Sequence, residues 1–382
     1  MTVDDGRNRV ADDCSAALGD PGSPVRNVRP QRLGVVRLFV SDGIEPDRPE
    51  HLARVELDLN HARDVALVGL ANLNVAGPAT RPHISGHPPS VGGRNIDNGR
   101  VCYPCPMAES LYVPDGDVMI PTELSRGPWV ATAQHGGPPS GLLTRCVEQH
   151  RSGPDDDRSA YLVSRMTVEL LRPVPLTPLR VTSATTRPGR KVQLITASLW
   201  AGDAFDVEVA RAVGLRLLRA PISFPFDVSA PNAAADAAVR PAFGPDQGHP
   251  PSRQFDGATL PAFHANAVDM RFIRGDLGAG PGAMWIRLRV PIVAGEEASP
   301  AQRAVTLSDF SNAIGSFLPM TTHTYLNADL TVNLHRMPDG EWVCVDSVMR
   351  IDETGIGLAA AQLSDHLGPV GRATQSLLIA ER

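Results

Sequence analysis

The strongest constraint on this chain is a plan that occurs twice: one helix, then about four long strands. In the first half, QHGGPPSGLLTRCVEQH carries a glycine-rich entry and an apolar stripe of Leu142, Leu143, Cys146 and Val147. YLVSRMTVELLRP, LRVTSATTR, KVQLITASLWAGD and FDVEVARAVGLRL follow as strand candidates. The last alternates most regularly, with Phe205, Val207, Val209, Val213, Leu215 and Leu217 on one face and Asp206 and Glu208 opposite. The second half opens with strand-like AMWIRLRVP. A helix with Ser299 and Pro300 as start signals then runs through RAVTLSDFSNAIGSFLP. LNADLTVNLHR, EWVCVDSVMRI, GIGLAAAQLSD and RATQSLLIAER complete the set. This order predicts an α+β fold in which each half wraps a long helix in a curved antiparallel sheet, and two such sheets can join edge to edge.

Length allows both halves to build a core, since the chain has 382 residues. The formal net charge of -6 argues against a broad nucleic-acid-binding surface. No apolar run is long enough to span a membrane, and the opening MTVDDGRNRV has no apolar secretory core. Five scattered cysteines (Cys14, Cys102, Cys105, Cys146, Cys344) do not make a disulfide framework, so a reduced, cytoplasmic setting is the expectation.

Residues 1–106 differ from the rest. Phe39 and Tyr103 are their only aromatics, and PGSPVRNVRPQR and GHPPSVGGRN are rich in breakers. They read as a poorly ordered N-terminal extension or an upstream mis-assigned start. Order is expected from Met107. Eight prolines between Pro221 and Pro261 mark 221–261 as a linker without regular ladders or helices. The modules are therefore 107–220 and 262–382.

These pieces resemble the hotdog fold, and more closely the double-hotdog acyl-CoA thioesterases of the thioesterase-like superfamily. HGGPPSGLL resembles the helix entry of the family's first hotdog, and VELLRPVPLTPLRV its strand with an Arg-Pro turn. LSDFSNAIG resembles the second helix. NADLTVNLHRMPDGEWVCVDS and RATQSLL resemble the strands that bear the other polar catalytic residues. The resemblance spans about 110 to 382. It implies an acyl-CoA thioesterase that yields a free acid and coenzyme A, without cofactor or metal, in a family whose outer sheet faces often associate into homo-oligomers. Residue by residue it places catalysis on Asp309, Asn327 and Gln375. Asn327 departs from the pattern, because the family commonly has threonine eight residues before His335.

Read by themselves, the three residues differ. Asp309 lies at the edge of the stripe of Phe310, Ala313, Ile314 and Phe317, where a carboxylate can simply reach water. Gln375 shares a strand face with Ala373, Leu377 and Ile379, so its amide must find buried partners. Asn327 falls with Asp329, Thr331 and Asn333 on what reads as a solvated strand face. Together they suit thioester hydrolysis: Asp309 orients or deprotonates a water, the two amides hold it, and a helix-start N–H faces the oxyanion.

Other signals are slighter. Cys102 and Cys105 form one CxxC with no second pair for zinc. Ser308 sits in no nucleophile elbow. Arg187, Arg190 and Lys191 cluster on a hairpin turn that either meets coenzyme A phosphates or is merely wet. His135 either approaches an acyl pocket or only precedes the helix. The chief rival is a non-catalytic acyl-CoA-binding hotdog protein, which the Asn327 departure favours. An enoyl-thioester hydratase would pair the aspartate with a histidine five residues on, where this chain has Ile314.

Overall fold

The computed structural model describes residues 110–382, apart from 155 and 253–259, together with a short strand pair, Ile96–Asp97 (β1) and Arg100–Val101 (β2). The rest of the expected extension, including the Cys102–Cys105 motif, lies outside the described residues.

From Tyr112 the chain forms a hairpin, Tyr112–Asp115 (β3) and Val118–Pro121 (β4), and then the helix Gly137–Gln149 (α1). Four strands follow: Tyr161–Leu170 (β5), Leu179–Arg187 (β6), Val192–Ala201 (β7) and Val207–Leu218 (β8). The proline-rich segment is less irregular than expected, because Ser229–Ala237 (α2) is helical. Pro231 falls in its first turn, where no backbone N–H is needed, and an alanine run follows.

The second half begins with a one-turn π-helix, Phe263–Ala267, which leads into Val268–Arg274 (β9) and Gly282–Leu288 (β10). Two short helices come next, Pro300–Ser308 (α3) and Ser311–Gly315 (α4). The chain ends in His323–Asn327 (β11), Asp329–Leu334 (β12), Val343–Ile351 (β13), Ile356–Asp365 (β14) and Gly368–Glu381 (β15).

One antiparallel sheet of thirteen strands carries all of this, in the order β3-β4-β6-β7-β8-β5-β12-β15-β14-β13-β10-β9, with β11 also on β15. The halves join where β5 pairs with β12, Thr167 opposite Thr331. This continuous sheet leaves fewer unpaired edges than two separate ones would. The helices cover one face: α1 packs on β7 and β8, α4 on β13 and β14, and α1 lies against α3.

Small residues set how closely the helices approach. A Cβ on Gly137 would strike the Thr306 carbonyl oxygen, and one on Gly141 would strike the Thr306 hydroxyl. Gly214 of β8 accommodates Val147 of α1 in the same way. Here the expected face of β8 gives way. Ala210, Ala212, Gly214 and Arg216 turn inward, whereas Val213, Leu215 and Leu217 stay half-buried. The register shift where Leu199–Trp200 faces Ala210–Glu208 leaves Val209 as an extra residue and reverses the alternation.

The predicted single helix through Asp309 is also a finding of difference. It breaks there, with Asp309 capping α3 and Phe310 starting α4. The Ser308 hydroxyl donates to the Ala304 carbonyl at 2.6 Å and that of Ser311 to the Ser308 carbonyl at 2.6 Å. Such back-bonding competes with the helical ladder and favours a bend. Phe317 lies beyond α4 and is exposed.

Candidate active site

Asp309 does not reach bulk water. It is 3% exposed and lies in the elbow between α3 and α4. Its Oδ1 accepts from Asn327 Nδ2 at 2.9 Å and from Gln375 Nε2 at 2.9 Å. Its Oδ2 lies 2.7 Å from His135 Nδ1, which comes from the other half of the chain. The glycine after His135 is needed for this approach: a Cβ on Gly136 would stand 2.8 Å from Oδ2. The structure therefore brings all three sequence-predicted residues into one neighbourhood.

Gln375 is fully buried between Ala373 and Leu377, in the apolar register expected for it. Both ends of its amide are used. Nε2 serves Asp309, and Oε1 accepts the Asn312 N–H at the start of α4, 2.9 Å away. One side chain thus holds both sides of the helix break.

The solvated strand face expected for Asn327 does not form. Asn327 stands opposite Leu377, but Thr331 stands opposite Thr374, so four steps on one strand match three on the other. The extra residue near Ala328 reverses the side-chain alternation. Asp329, Thr331 and Asn333 remain on the other face, while Asn327 turns inward with Tyr325 and reaches Asp309.

Asp309, His135, Gly136, Asn312 and Asn327 border a cavity of about 480 Å³. Its remaining wall is mostly apolar, with Trp129, Val174, Met320, Leu326 and Leu378 prominent. The Trp129 and Tyr325 rings meet edge to face at 5.2 Å, and burial pushes the Tyr325 phenol up to about 12, so it stays neutral. Gln375 is not part of the wall and acts on the cavity through Asp309. At the other side of the carboxylate, Phe263 and Phe310 pack against the His135 ring at 5.0 and 4.9 Å. Burial, and then the nearby His135, lower His264 to about 3, so that second imidazole stays neutral.

Helix α1 starts beside this carboxylate, with Gly136 as its N-cap and no side chain capping it. Pro138 and Pro139 carry no N–H and the Gly137 N–H points at His135 Nδ1, so this helix start offers its positive dipole end and the Gly136 N–H to an oxygen that gains negative charge. The opposite end of the helix pair has no such opening. There Glu148 of α1 accepts from Ser299 Oγ at 2.8 Å and from Gln302 Nε2 at 2.7 Å, closing the start of α3.

Some sequence signals fall elsewhere. The turn of Arg187, Arg190 and Lys191 sits beside Tyr161, whose hydroxyl donates to the Arg190 carbonyl at 2.9 Å. Tyr161 and the cavity residue Leu170 are the two ends of β5, roughly 30 Å apart at about 3.3 Å per residue. Ser308 spends its hydroxyl on Ala304. Asn312 and Gly136 do not stand out in the sequence as site residues. The HGG run was the one signal pointing to Gly136.

Two helices packed together inside one continuous antiparallel sheet, with a buried carboxylate of one helix against the start of the other, define a double-hotdog protein. Family comparison gives the class its chemistry. The acyl-CoA thioesterase N-terminal domain model matches residues 125–217, and the acyl-CoA thioesterase C-terminal domain model matches residues 235–379. Together they cover more than half of the sequence, and the chain belongs to the acyl-CoA thioesterase family, whose members are thioester hydrolases.

Among solved structures, a conserved protein with a hot dog fold from Alicyclobacillus acidocaldarius is 14% identical with a TM-score of 0.50. That match covers 71% of this chain and 95% of the other, and it shows the fold. The acyl-CoA thioesterase II TesB2 of Mycobacterium marinum is 15% identical with a TM-score of 0.46, covering 70% and 94%. No curated protein matches the sequence. Among the described residues no helix is long and apolar enough to cross a membrane, and no group of three or more acidic, histidine or cysteine side chains is arranged to hold a metal.

Proposed function

We propose that this chain hydrolyses an acyl-CoA thioester through a water positioned by Asp309, Asn327 and Gln375. The observation that carries this reading is a single one: a carboxylate fixed by two amides and an imidazole borders an otherwise apolar cavity at a helix start. The apolar wall suits the acyl chain. The thioester carbonyl lies between Asp309 and the start of α1, whose positive dipole end and Gly136 N–H stabilise the developing oxyanion.

Asp309 and Asn327 touch the cavity and hold the water, while Gln375 fixes the carboxylate and the start of α4. Water oxygen bonds to the carbonyl carbon, the carbon–sulfur bond breaks, and coenzyme A leaves as a thiolate. A thiolate leaves readily, so the step needs no strong general acid. The hotdog units in this reading are 107–220 and 262–382, joined by 221–261.

A thiol-release screen over short, medium and long acyl-CoAs tests the assignment. Turnover with at least one substrate is the expected result. Tight acyl-CoA binding without thiol release at any chain length would replace it with the non-catalytic binding protein.

A further inference from the structure

We infer that His135, oriented by Asp309, is the catalytic base of this site and takes the proton of the attacking water on Nε2. The inference rests on the thioesterase reading above and concerns which atom accepts the proton.

Asp309 is poorly suited to that task. A carboxylate offers about four acceptor sites. Both on Oδ1 are taken, by Asn327 and Gln375, and one on Oδ2 is taken by His135. Three of those sites are therefore closed to a proton from water. The carboxylate is also buried under the backbone of Gly136.

His135 has the complementary arrangement. At 2.7 Å from a carboxylate, Nδ1 carries the hydrogen and donates it to Oδ2. The Gly137 N–H also points at Nδ1, at 3.2 Å, but the closer and charged partner takes the one in-plane site. The proton assignment follows from this network. It leaves the lone pair on Nε2, which has no hydrogen-bond partner among the described residues, and His135 is part of the cavity wall. Phe263 and Phe310 pack against the ring and fix its plane. Base, orienting carboxylate and amides that hold the carboxylate thus form a relay from different elements, the same logic that activates nucleophiles elsewhere.

The step balances. As the water oxygen bonds to the carbonyl carbon, Nε2 receives its proton and the ring becomes an imidazolium against Asp309. When the carbon–sulfur bond breaks, the electron pair leaves with sulfur, and Nε2 returns the proton to the thiolate. The products are the acid and the free thiol.

His135→Asn in the full chain separates base from prop, because the Asn amide keeps a donor near the Nδ1 position and removes Nε2. Thiol release from an acyl-CoA that the parent hydrolyses should lose about 10²–10⁴-fold in kcat, with KM within about threefold and the melting temperature little changed. Should the Asn variant not fold, His135→Gln carries the same test with the same limits. A folded variant whose kcat stays within threefold of the parent overturns the inference and leaves His135 as a positioning residue. A parent chain that hydrolyses no acyl-CoA defeats the thioesterase reading instead.

Discussion

Gln375 donates from Nε2 to Asp309 Oδ1 at 2.9 Å, and its Oε1 accepts the N–H of Asn312 at 2.9 Å. A residue of the last strand thereby sets both the direction of the carboxylate and the angle of the helix break. Gln375→Leu keeps similar bulk, leaves the buried Asn312 N–H unsatisfied and takes one of three donors from the Asp309 carboxylate. It should lower stability by about 1–3 kcal/mol, read as a fall in melting temperature, and should reduce kcat as well.

Asn327 is one donor to a charged oxygen, and hydrogen bonds of that kind are worth about 1.5–3 kcal/mol. Asn327→Leu should therefore cost about tenfold or more in kcat/KM for thiol release. Asn327→Thr, the residue common in the family, keeps a hydroxyl donor and should retain more activity than the Leu variant. Equal loss in both variants would remove the donor from the account.

Gly136 and Gly141 make different demands. At Gly136 an added methyl group meets the Asp309 carboxylate, so Gly136→Ala should lower kcat by about tenfold or more while the protein still folds. At Gly141 it meets Thr306 within the helix pair, so Gly141→Ala should act on stability, by about 1–3 kcal/mol in thermal unfolding.

Asp365 supports the turn from β14 into β15, the strand that carries Gln375. Burial pushes its carboxyl up, but the Arg336 hydrogen bonds and the N–H of Asp339 outweigh burial and hold it below the usual range. A depressed value means stability that is present above the unfolded value of about 3.9 and lost as pH falls through the folded one. Asp365→Asn should lower stability at pH 7 by roughly 2–3 kcal/mol, less than for a fully buried pair because Arg336 is partly exposed. The gap from the parent should narrow in urea unfolding as pH falls below about 4, since the carboxylate of the unfolded chain titrates near about 3.9.

Much of this fold is legible in local pattern. Strand candidates such as LRVTSATTR and KVQLITASLWAGD match β6 and β7, and along β7 the alternation follows the pleat of the sheet. The burial of Gln375 could be read the same way. The inward turn of Asn327 could not, since it depends on an extra residue near Ala328 that shows only in strand pairing. The break at Asp309 was hidden too, because the apolar spacing around it continues as if one helix ran through. His135 and Asp309 lie in different halves, and only the packing of α1 on α3 brings them together.

The central claim is that Asp309 anchors the chemistry, and steady-state thiol release by the parent chain and by Asp309→Ala tests it most directly. At least a tenfold fall in kcat is predicted, equivalent to about 1.4 kcal/mol of transition-state stabilisation. Unchanged turnover in a folded Asp309→Ala variant would contradict it.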